Sequence, residues 1–162
     1  MGYGYGVWLL VKDSKIQKIV DQNNTKPHLA HITVMCNMSD TDAFKLSKQL
    51  NDNYKVTVLN RHVNLNGNGH KYSEYDDNQL YASGYYCIVD GWREITEIAK
   101  YYRGSIPIRP HLSIAYRSVE KDLPKNVTGE IIKTDGCVGS ININSNDPSE
   151  WYYINQTKPT TG

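Results

Sequence analysis

Two short segments carry the side chains best suited to chemistry. His31-Ile32-Thr33-Val34 and His111-Leu112-Ser113-Ile114 share one order: histidine, aliphatic, hydroxyl, aliphatic. Their flanks deepen the likeness, with "KPHLAHITV" starting at Lys26 and "RPHLSIAY" at Arg109. Side chains alternate between the two faces of a strand. His31 therefore shares a face with Thr33, and His111 with Ser113, each pair about 7 Å apart along its strand. The aliphatic partners turn the other way, toward a core.

Set side by side, the two strands offer two imidazoles and two hydroxyls. That inventory suits a phosphodiester. One neutral imidazole takes a proton from an attacking water or hydroxyl, and the other, protonated, gives one to the departing oxygen. An ordinary histidine titrates near neutrality and can fill either role. The hydroxyls donate to the non-bridging oxygens, where charge builds up. This chemistry calls for no metal and no cofactor. The repeated "PHL" tempts an alignment of His28 with His111. Two residues after His28, however, stands Ala30, where the pattern needs a hydroxyl. An offset of three also puts His28 on the opposite face from His31. His28 is read as a loop residue at the rim of the site.

Paired H-x-[ST]-x segments at this separation resemble the 2H phosphoesterase superfamily. Its members include RNA 2′,3′-cyclic phosphodiesterases of the 2′-5′ RNA ligase-like type, viral 2′-5′ oligoadenylate phosphodiesterases, and phage or poxvirus enzymes that destroy cyclic oligonucleotide signals. The resemblance covers nearly the whole chain in length and element order, and its specific part is the two four-residue motifs. It implies a bilobal, pseudo-symmetric α+β fold with one motif per lobe facing a central groove. It implies His31 and His111 as the acid/base pair, with Thr33 and Ser113 holding the phosphate. The substrate class it favours is a cyclic or 2′-5′-linked oligonucleotide signal, which makes a counter-defence enzyme. An RNA end bearing a 2′,3′-cyclic phosphate is the alternative, and a non-catalytic nucleotide- or RNA-binding module is the reading from another class.

Other residues are candidates for substrate binding. Arg109 and Lys26 precede the motifs and could steer a phosphate. Tyr5, with Tyr3, alternates with glycines and offers a ring for a base. Tyr116 lies five residues past His111, off the motif face of a regular strand. Glu150 and Trp151, in "SEWYYI", match by position and type the late acidic and aromatic residues of some phage members. His62 and His70 have no hydroxyl two residues on and are read as surface histidines. No H-E-x-x-H, G-x-S-x-G or P-loop pattern occurs, so zinc proteases, serine hydrolases and Walker-type NTPases have no support.

The surrounding pattern must position these motifs. Tyr3–Lys12 reads as a strand, Ser14–Gln22 as a helix, His31–Cys36 as a strand, and Thr41–Asn51 as a helix capped by Ser39 or Asp40. Lys55–Asn64 alternates like a strand and runs into the "NGNG" turn at Asn66. Leu80–Val89 is a strand, Trp92–Tyr102 a helix capped by Asp90, and Arg109–Tyr116 a strand. Strands over Thr128–Thr134, Cys137–Asn144 and Trp151–Asn155 complete the set. Each half then holds a helix and a motif strand, a coarse duplication within an α+β domain.

Composition bounds the partners. The 162 residues, 39% of them apolar, make one domain over 1–162 with a sound core. A net charge of +1 argues against long nucleic acid or a DNA duplex as partner and leaves room for a small anion. Thirteen tyrosines against one phenylalanine, with many Asn and Lys, fit codon bias in an AT-rich genome and suggest a viral or other AT-rich source. Cys36, Cys87 and Cys137 form no CxxC pair, so neither zinc nor a disulfide framework is expected. With no signal peptide or membrane span in the pattern, the expected location is cytoplasmic, the host cytoplasm for a viral protein.

Overall fold

The apolar run "VWLLV" demands a strand covered on both sides, and the fold supplies it. In the computed structural model, which describes residues 4–24, 28–64, 81–107, 109–117, 131–145 and 148–156, strand β1 (Tyr5–Val11) pairs along both of its edges. On one edge lies β2 (His31–Met38), and on the other β6 (Ile132–Asn142). Between them the sheet continues through β5 (His111–Arg117), β4 (Tyr81–Val89) and β3 (Asn53–Asn64), so the order is β1-β2-β5-β4-β3-β6 and back to β1. Every pairing is antiparallel. A seventh strand, β7 (Tyr152–Gln156), adds to β6 outside the ring.

This overturns the bilobal α+β expectation. The molecule is a closed six-strand antiparallel barrel with three short helices, and it has no two lobes with a groove between them. The physical reason lies in the pairing. The resemblance implied one motif per lobe, but the two motif strands pair directly with each other, about Ile32 and Leu112. The ring is then shut by β6, read from sequence as two strands broken near "TDGC". It is one strand. Its first part pairs with β3 and its second with β1, and Gly136 is registered with both Tyr54 and Val11. A Cβ on Gly136 would stand 2.8 Å from Leu9 Cβ and 3.2 Å from Val56 Cγ2. At this glycine the two neighbouring strands crowd in from both sides.

The helices follow the expected pattern with one change at a cap. Asp13 caps α1 (Ser14–Asn23), accepting from the amides of Lys15 and Ile16. Ser39 caps α2 (Asp40–Gln49), accepting from Asp42 N. Asp90 does not cap α3 (Trp92–Ala99). Gly91 takes that position at φ 87°, and no side chain caps the end. The left-handed turn out of β4 needs a residue without a Cβ, so it selects the glycine rather than the carboxylate before it. Ile16 and Val20, Ala43 and Leu46, and Ile95 and Ala99 turn inward from the three helices. They pack on Val7, Leu9, Ile32, Val34, Leu112 and Ile114, all at most 1% exposed. Each such large aliphatic side chain contributes about 1.5–3 kcal/mol on burial. Among the described residues no helix is long and apolar enough to cross a membrane.

The helices cover one face of the barrel wall. The other face of these strands holds a second cluster around Trp8, Ile141, Ile143 and Trp151. It is this second face that carries the two motifs.

Candidate active site

The motif residues meet by strand register. With Ile32 opposite Leu112 in an antiparallel pair, His31 falls across from Ser113, and Thr33 across from His111. Each imidazole thus faces the other strand's hydroxyl at about 4.5–5.5 Å between Cβ atoms, and the two histidines lie on the diagonal, about 7–8 Å apart. All four point away from the helices and all are buried: His31 at 3% exposure, Thr33 at 9%, His111 at 2% and Ser113 at 3%.

The β2–β5 ladder is short, with Ile32–Leu112 its registered pair. Upstream of β5 the chain joins β2 once more, where Ser105 and Cys36 exchange backbone bonds at 2.8 and 2.9 Å. Between these two joints come Pro107 and Pro110. Proline has no amide hydrogen for a ladder, so neither residue can donate to β2, and the Pro110 carbonyl accepts from Cys87 N in β4 at 3.0 Å. Past the motif, side chains replace ladder bonds. Asn24 Nδ2 donates to Ile114 O and Val20 O, both at 2.7 Å. His28 Nε2 donates to Ser113 O at 3.1 Å.

The two motif histidines are anchored alike. His31 Nδ1 lies 2.6 Å from Leu29 O, and His111 Nδ1 lies 2.9 Å from Arg109 O. In each case the carbonyl belongs to the residue two positions back. A carbonyl only accepts, so Nδ1 carries the hydrogen and the lone pair of the neutral ring sits on Nε2. Both rings are set in the same tautomer by the same local device, which leaves Nε2 as the atom that takes or gives a proton.

Their surroundings differ. Trp8 is registered with Thr33 and its indole lies flat on His31, with centroids 3.4 Å apart and planes 7° from parallel. Trp151 meets both rings edge-on, 5.9 Å from Trp8 and 6.1 Å from His31. Tyr153 meets the Trp8 ring edge-on at 5.8 Å. Across the seam, Tyr86 is registered with His111, and the Arg109 guanidinium lies 3.9 Å over the Tyr86 ring. Burial holds the His111 pKa below the ordinary histidine value, offset in part by the bond to the Arg109 carbonyl.

The other expected residues fall in different places. His28 is in the loop before β2 as expected, but at 4% exposure it is no rim residue. Its ring meets His31 edge-on at 5.7 Å. Burial lowers its pKa to about 4, against the opposing effects of the Ser113 carbonyl bond and the Asp21 charge. Strand alternation could not place it, because the strand starts only at His31. Arg109 is exposed beside the site. Tyr5 packs on the helix-side core, apart from the motifs. Glu150 is exposed and accepts from Ser145 Oγ. Trp151 is buried, and its Nε1 donates to Ser145 O at 2.7 Å. Tyr116 lies in β5 in register with Ala82, and His62 in β3 in register with Tyr85. The side chains of Tyr116 and His62, like Tyr3, Lys26, His70 and the "NGNG" turn, lie outside the described residues.

Sequence reasoning missed Trp8, Tyr86 and the support given by His28. Trp8 was hidden in an unbroken apolar run, where alternation leaves no trace. Tyr86 could be found only from the β4–β5 register. Among the described residues no three His, Cys, Asp or Glu side chains gather as a metal set. Comparison with protein-family models, with curated proteins and with solved structures finds no match.

Proposed function

We propose that the cluster of His31, Thr33, His111 and Ser113 is the active site of a metal-independent phosphodiesterase. One observation carries this reading: two imidazoles in the same tautomer and two hydroxyls stand on one face of two paired strands. A phosphate placed over that face meets a group for every part of an in-line displacement. One Nε2 takes a proton from water as its oxygen bonds to phosphorus. The bond from phosphorus to the leaving oxygen breaks, and the other Nε2 delivers the proton which that oxygen needs. Thr33 and Ser113 donate to the non-bridging oxygens.

The substrate we favour is a small cyclic or 2′-5′-linked oligonucleotide signal, in keeping with the motif resemblance and a counter-defence role. The low exposure of all four groups supports a compact phosphodiester rather than a long strand. The near-neutral chain supports the same choice. Arg109, exposed next to His111, supplies a cation at the approach. The deciding experiment incubates the protein with cyclic di- and trinucleotides of several linkages, 2′-5′ oligoadenylate, and RNA ending in a 2′,3′-cyclic phosphate, with products separated by chromatography. Cleavage of a cyclic or 2′-5′-linked member is expected. Cleavage of the RNA end alone moves the substrate class. Binding without any product replaces the enzyme with a binding module.

A further inference from the structure

We infer that Trp8 is a positioning residue that makes His31 the proton-donating member of the pair, by holding its imidazolium against the indole face. This rests on the phosphodiesterase reading for its meaning but not for its test. Strand register and local anchoring make the two histidines equivalent, and nothing in the motifs tells acid from base. The indole breaks the tie. Its ring lies parallel to the His31 ring, with centroids 3.4 Å apart and planes 7° from parallel. The negative face of an indole attracts a cation, and the attraction is larger where water is excluded. Trp8 is 2% exposed and His31 3%.

Trp8 is itself held in place. Trp151 and Tyr153 press edges toward it, the favoured arrangement for aromatic pairs. The Trp151 ring is fixed in turn by its bond to the Ser145 carbonyl. The remaining groups around His31, among the described residues, bring no competing charge. His28 is neutral above about pH 4, and the Tyr153 phenol is kept un-ionised by burial. The Leu29 carbonyl accepts from Nδ1 and favours the protonated ring. Thr33 and Ser113 are neutral. Burial disfavours the charged form of both rings; at His31 the indole face opposes it, while at His111, on the diagonal, burial lowers the pKa and suits the base. Proton transfer then has a direction across the site, from water to His111 and from His31 to the leaving oxygen.

The test is an NMR titration of the histidine rings in wild type, Trp8→Leu and Trp8→Phe, without substrate. In Trp8→Leu the His31 midpoint is expected to fall by about half a unit or more, as the loss of a buried cation–π contact requires, while the His111 midpoint stays within a few tenths. Trp8→Phe, with a weaker ring face, is expected to give a smaller fall of the same sign. Should Trp8→Leu not fold, Trp8→Phe decides alone. A His31 midpoint unchanged or raised in the folded variants overturns the inference. A shifted midpoint in a protein that cuts no phosphodiester keeps Trp8 in this role and sinks the enzymatic reading instead.

Discussion

Strands β2 and β5 carry the same four-residue pattern, anchor their histidines by the same bond two residues back, and present them on the same face of the sheet. They differ in what surrounds them. His31 lies under an indole within an aromatic cluster, while His111 lies beside Tyr86 with a guanidinium on that ring. The loop before β2 also reaches across to β5, where His28 holds the Ser113 carbonyl. Equal local geometry gives each strand the same reactive atom. The tertiary neighbours of the two atoms are unequal, and that inequality is what the experiments below can probe.

The largest expected effect comes from removing either imidazole. His31→Ala and His111→Ala should each lower kcat about a hundred- to ten-thousandfold with thermal unfolding near wild type. Turnover within tenfold of wild type in a folded variant would remove that histidine from the mechanism. Next come the hydroxyls. Thr33→Ala and Ser113→Ala each delete one donor to the phosphate and should cost about a hundred- to a thousandfold in kcat. A full loss at one and none at the other would show that only one strand holds the phosphate.

The support that β2 lends β5 has its own pH signature. His28 binds its proton at about pH 4 in the native state against 6.5 when exposed. The unfolded chain therefore takes up a proton that the folded chain refuses, and stability contributed above pH 6.5 is lost as pH falls toward 4. Over that span the loss is about 3 kcal/mol. His111, whose pKa is also lowered by burial, adds a loss of the same sign. Urea unfolding at a series of pH values should show a shallower acid decline for His28→Gln than for wild type. Parallel curves would mean that His28 is not held neutral by this packing. The smallest expected effect is that of a chelator. EDTA should leave turnover unchanged, and strong inhibition reversed by a divalent ion would bring in a metal that the two motifs do not explain.

Much of this was open to reading from the chain. Period-two alternation placed His31 with Thr33 and His111 with Ser113. Periodicity and the Ser39 cap placed the helices within a few residues. The errors have a common source in pairing between distant segments. β6 read as two strands because local pattern does not show one strand bridging two partners, and the crowding by Leu9 and Val56 that demands Gly136 is visible only in three dimensions. The duplicated halves read as lobes because local pattern does not say which strands become neighbours. Trp8 read as core because an apolar run on a strand buried on both faces carries no alternation.

The closure at Gly136 also governs when the protein can fold. β1 is made early, yet one of its two partners, β6, is made long after every helix of the barrel. During synthesis the apolar stretch from Val7 to Val11 must wait with an open edge, a state prone to wrong pairing and association. Assembly dominated by so distant a contact is slow. Because β6 pairs with β3 as well as with β1, the ring of strands is complete only once it is in place.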